Sequence, residues 1–206
     1  SILEEKAYLF KTKIPVVNRK EVKGAIEFTL EENVPVPSNE LVFDYVVVGQ
    51  KNDSLDIVAV ALPQKNVEDY LTSFHMADIN LLSFELESQS ITHSVLPKND
   101  NETKMIVYFN GEKMSICIVK ESIVHFVSTT SIRGEIKDNI PYISQEIKKI
   151  NSYWKSLDDN LKELKKDISG VIVCGDFVSE DVLSQVSINT RLTVYLGNVW
   201  VNIYNL

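Results

Sequence analysis

Residues 105–128, MIVYFNGEKMSICIVKESIVHFVS, decide the fold. Three apolar runs, 105–108, 114–119 and 123–128, are joined by the short polar steps Asn110-Gly111 and Lys120-Glu121. Asn-Gly between apolar runs is a strong hairpin signal, because both residues tolerate the left-handed backbone of a tight turn. The stretch therefore predicts a three-stranded antiparallel meander. Downstream, Ile140, Ile143, Ile147, Ile150 and Trp154 recur at helical spacing, and Pro141 suits the first turn of a long amphipathic helix. Residues 171–174 form a continuous apolar run of the kind found in a strand buried on both faces. Gly175 allows a turn, a short helix is predicted over 179–186, and 191–196 and 200–204 read as further strands.

Upstream, the turn-rich charged stretch 97–102 (Pro-Lys-Asn-Asp-Asn-Glu) has no apolar period and marks a candidate boundary. Before it lies a smaller pattern. Alternation over 7–14 predicts a strand stopped by Pro15. Val22, Ala25, Ile26 and Leu30 predict a helix over 18–31 that begins at Asn18 and is broken by Val34-Pro35-Val36-Pro37. Strands are expected at 41–48 and 55–62 around a polar loop, a helix at 66–77, and a closing strand at 80–85. The series is a compact α+β module ending near Leu96.

With 206 residues, 44% hydrophobic and 24% charged, the chain has the composition of a globular protein with a sizeable core. Its net charge of −8 offers no positive excess to neutralise a phosphate backbone, so nucleic acid is not an expected partner. Basic residues are densest over 137–166, but Glu146, Asp158, Asp159, Glu163 and Asp167 alternate with them as on a solvated helical face. Cys117 and Cys174 each sit within an apolar run and read as buried free thiols, which suggests a reducing compartment. No apolar stretch approaches a bilayer span and the first residues do not resemble a signal peptide, so membrane association is expected only through a partner.

Residues able to carry catalysis are scattered. His75, His93 and His125 lie far from one another and from both cysteines, so no metal site is expected. There is no phosphate loop and no nucleophile elbow, and the adjacent acids Glu4-Glu5, Glu31-Glu32 and Asp158-Asp159 fit solvated surfaces. No catalytic residue and no cofactor are expected from these patterns.

Several segments, taken in order, resemble the family of the type IV pilus assembly protein PilM. They are the strand from Ser1 to Phe10 ending in Ile14-Pro15; Ala25-Ile26-Glu27 followed by Glu32-Asn33-Val34-Pro35-Val36-Pro37 and Val42-Phe43-Asp44-Tyr45; Phe84-Glu85-Leu86-Glu87-Ser88; and, late in the chain, Ser169-Gly170-Val171-Ile172-Val173-Cys174-Gly175 with Leu196-Gly197-Asn198-Val199-Trp200. The resemblance implies an α/β fold, a partial actin-like (ribonuclease H-like) fold with an inserted SHS2-like domain. Residues 1–15 would be a strand of the first actin-like lobe, 16–96 the insertion and 103–206 the second lobe, the start of the first lobe lying upstream of Ser1. The family's second nucleotide hairpin would fall on Tyr108, Asn110, Gly111, Met114 and Ser115. Tyr108 replaces the metal-binding acid, Asn110 the first glycine and Met114 the threonine, and Gly175-Asp176 stands for the glycine pair of the adenosine loop.

The resemblance implies a cytoplasmic adaptor, peripheral at the inner membrane, that binds the short cytosolic tail of a bitopic inner-membrane partner and connects to pilus motor ATPases. Phe10, Val34, Pro35, Val36 and Pro37 are the candidate partner-binding residues, since an apolar edge stiffened by proline offers contact area at low ordering cost. Their alternative role is a helix stop packed on the sheet. The rival function is a nucleotide-binding actin-like ATPase fragment, of pilus, type II secretion or cell-division type, whose site a missing N-terminal half would complete.

Overall fold

The computed structural model describes residues 1–157 and 167–202. Asp158, Asp159 and Glu163 of the charged stretch, and the end of the strand expected at 200–204, lie outside them. Residues 199–202 form a turn. The chain divides into two compact units, Ser1–Glu87 and Ser88–Leu206, with a separate sheet in each.

In the first unit, β1 (Tyr8–Pro15), β2 (Leu41–Gln50) and β3 (Ser54–Pro63) form an antiparallel sheet in the order β1-β3-β2, which leaves β1 and β2 as its edges. The helix α1 (Val22–Asn33) lies on one face and buries Val22, Ile26 and Leu30 against Ile14, Leu55, Ile57, Ala59 and Ala61. It starts four residues later than the Asn18 signal. Asn18 instead closes a turn, its carbonyl accepting the Glu21 N–H while its own N–H donates to the Glu21 carboxylate. The helix ends where expected, since Pro35 restricts Val34 to extended backbone. The β2–β3 hairpin and α2 (Gln64–Met76) follow the predicted pattern.

The strand expected at 80–85 does not form. Leu82 is 93% exposed, and the segment is held by the Phe84 ring against Tyr70 and by the Glu85 carbonyl, which accepts the Ile2 N–H beside an isolated parallel bridge between Ile2 and Leu86. The partition also differs from the expected one. Tyr8–Pro15 pairs with β3 along its whole length and so belongs to the small unit. The division falls at Glu87/Ser88, the start of α3 (Glu87–Val95), ahead of the charged connector at 97–102.

In the second unit the meander is present as β4 (Thr103–Asn110), β5 (Lys113–Lys120) and β6 (Ile123–Ser131). Both turns sit one residue later than read, on Gly111-Glu112 and Glu121-Ser122, because Asn110 and Lys120 are the last paired residues of their ladders. After α4 (Ile140–Ser156), β7 (Gly170–Gly175) runs parallel to β4. Then α5 (Glu180–Thr190) returns the chain to β8 (Val194–Leu196), completing the order β6-β5-β4-β7-β8.

One face of this sheet presents Met105, Val107, Phe109, Met114, Ile116, Ile118, Val171 and Val173 to the predicted stripe of α4 and to Val182, Leu183 and Val186 of α5. The opposite face buries Ile106, Cys117, Val119, Ile172 and Cys174, so β7 is buried on both sides. Both cysteines are buried and neither is in a disulfide, and desolvation pushes the Cys174 thiol up to about 12.

Candidate functional site

The predicted partner-binding residues occupy the end of the small unit where α1 stops. Val34 is buried with Leu30, Leu41 and Ala61, while Phe10 and Val36 are half-buried against that cluster beside Tyr8 and Phe43. Pro35 and Pro37 are exposed. The structure thus brings Phe10, Val34 and Val36 into one apolar cluster, with the two prolines at its rim. Val34 is committed to the core, so the surface open to a ligand is Pro35, Val36, Pro37 and the outer part of Phe10.

A second constellation lies at the carboxyl ends of β4 and β7, the position where open α/β sheets place ligands. Met114 is buried in the core. The Ser115 hydroxyl shares a 2.9 Å hydrogen bond with Thr129 on β6. At the hairpin tip, the Gly111 N–H donates to the Asp176 carboxylate at 3.0 Å, and the Asp176 N–H donates to the Phe109 carbonyl at 3.0 Å.

Gly175 makes this closure possible. Its φ is +102°, and a Cβ added there would lie 2.0 Å from the Phe109 carbonyl oxygen. Beyond it α5 opens with the Ser179 side chain capping the Val182 N–H, and with Glu180 and Asp181 in its first turn. An anion-binding hairpin needs free N–H groups and neutral or basic neighbours. Here a carboxylate of the chain already takes the Gly111 N–H, and two more acids follow, so these residues do not fit a magnesium nucleotide. Asp176 as a partner of the hairpin was not legible in the sequence, since the two residues are 65 positions apart.

The histidines are not brought together. His75 and His93 are exposed, on α2 and α3, and His125 on β6 meets the Trp154 ring edge-on. Among the described residues no group of histidine, cysteine or acidic side chains could hold a metal ion, and no helix is long and apolar enough to cross a membrane.

No protein-family profile matches the sequence, and no curated protein matches it. Solved structures do. The PilM-PilN type IV pilus biogenesis complex aligns over 95% of this chain and 67% of that one, with a TM-score of 0.74 at 12% identity. The cytoplasmic domain of EpsL, an inner-membrane component of the type II secretion system of Vibrio cholerae, aligns over 96% of this chain and 74% of that one, with a TM-score of 0.51 at 8% identity. The chain is therefore an α/β protein that shares its fold with a chain of the PilM-PilN complex, and the resemblance read from its motifs agrees with that architecture.

Proposed function

We propose that this chain is a non-catalytic adaptor of a type IV pilus or related secretion platform, and that it binds the cytosolic tail of a bitopic inner-membrane partner. The observation that carries the reading is the likeness to a chain solved as a PilM-PilN complex over 95% of this sequence. The apolar end of the small unit supports it, because Pro35, Val36 and Pro37 present a stiff rim above a packed cluster. Localisation at the inner membrane then comes through the partner, and contact with motor ATPases belongs to the same proposal.

The rival, a nucleotide-binding ATPase fragment, needs the hairpin of β4 and β5 to receive phosphate. Tyr108 cannot replace a carboxylate in holding Mg²⁺, and the Gly111 N–H already has an anionic acceptor. Titration calorimetry of the chain with Mg-ATP separates the two readings. No heat of binding is expected. A dissociation constant of about 1 μM or tighter, about −8 kcal/mol, would overturn the non-catalytic reading.

A further inference from the structure

The two edges of the small unit's sheet are built differently. β1 carries Lys11 and Lys13 and ends in Pro15, devices that keep a foreign strand from pairing. β2 has no lysine and no proline, and its bulge falls only at Val47/Gly49, so residues 41–46 form a regular edge. Side chains alternate along it. Phe43 and Tyr45 pack toward α1, while Val42, Asp44 and Val46 share the other face, the two valines 38% and 46% exposed.

The backbone of this edge is held in an unusual way. The Tyr45 N–H donates to the Asp44 carboxylate at 2.8 Å, so it faces the open side of the strand and not β3. By alternation, the N–H and C=O groups of Phe43 also face outward. Among the described residues Asp44 has no ion pair, and its neighbour on β3 is Val60.

We propose that the outer edge of β2 accepts an extended protein segment that carries a basic residue between two apolar ones. The incoming carbonyl takes the Tyr45 N–H. The released Asp44 carboxylate then pairs with the basic side chain, and the flanking apolar residues cover Val42 and Val46. Asp44 thus caps the edge when it is empty and selects by charge when it is filled. A basic segment is steered to β2 because the opposite edge carries lysines. Pairing of two copies through β2 would bring Asp44 near its own equivalent, and like charges across strands are unfavourable. The proposal is independent of the apolar rim at Pro35–Pro37, which lies on the α1 side of the sheet.

The probe is a labelled peptide, Thr-Val-Thr-Lys-Thr-Val-Thr, capped at both ends, with a second version carrying Glu at its centre. By fluorescence anisotropy the whole chain is expected to bind the Lys probe about tenfold more tightly than the Glu probe. Asp44→Lys is expected to reverse that order. Asp44→Asn, which keeps an oxygen for the Tyr45 N–H, is expected to remove the preference, and N-methylation of alternate probe amides to abolish binding. Equal affinities for the two probes, an unchanged order in folded Asp44→Lys, undiminished binding of the N-methylated probe or no binding at all would each overturn the proposal. So would a β2-mediated dimer that excludes the probe.

Discussion

At the scale of single residues, Gly175 and Cys174 make the clearest demands. A side chain at position 175 would need both a left-handed backbone and space already filled by the Phe109 backbone. Gly175→Ala is expected to lower stability by more than about 3 kcal/mol, read from urea denaturation, and to free the hairpin tip from Asp176. A loss below about 1 kcal/mol would show that the turn can relax.

Cys174 is a buried acid whose thiol is held neutral by desolvation, raised from 9.0 to about 12. A raised folded-state value means that the native state keeps a proton the unfolded state gives up. Stability from this group is complete below pH 9 and falls as the pH rises toward about 12. Alkylation of Cys174 at pH 8 is accordingly expected only after denaturant is added, which mass spectrometry of labelled peptides would check.

At the scale of elements, the β5–β6 turn is the weak join of the meander. Glu121 and Ser122 have φ of 53° and 61°, the left-handed pair of a type I′ hairpin, filled by residues that do not favour it. The Gln89 side chain braces the turn from α3, donating to the Ser122 carbonyl and accepting from the Val124 N–H. Replacing the pair with Asn-Gly keeps those backbone contacts and is expected to stabilise the chain by about 1 kcal/mol, seen as a higher urea midpoint at unchanged slope.

Alternation and helical spacing were enough for β4, β5, β6 and α4, because a buried face repeats along the chain. They were not enough for 80–85, where apolar residues are present but no neighbouring strand receives them, and Leu82 is left in solvent. Pairing is a tertiary fact that a local pattern does not contain. The start of α1 was misplaced for a related reason, since Asn18 and Glu21 satisfy each other in a turn before the helix begins.

At the scale of the whole molecule, motif order along the chain was sufficient to anticipate the architecture shared with the PilM-PilN complex. Weak motifs in a fixed order constrain a fold more than any of them does alone. The candidate site was legible only in part. Val34-Pro35-Val36-Pro37 is legible as an apolar break after a helix, and Val36 packs on the same cluster as Phe10, but the burial of Val34 depends on Leu41 and Ala61 arriving from two other strands. In the sequence Asp44 is only one residue of the Val42-Phe43-Asp44-Tyr45 motif, whereas its bond to the Tyr45 N–H requires the backbone of an edge.

The adaptor reading is tested most directly by titrating the whole chain with a synthetic peptide copying the cytosolic tail of a PilN-like protein, beside the variants Val36→Asp and Pro35→Asp. Ordering a flexible tail consumes part of the interaction energy, so affinity on the order of 1 μM is expected for the unaltered chain. Val36→Asp should abolish binding, since its charge would be buried without a partner. Pro35→Asp, at an exposed position that does not threaten folding, should weaken it at least tenfold. Undiminished binding by both folded variants would remove the apolar rim from the site, and no binding by the unaltered chain would contradict the adaptor reading itself.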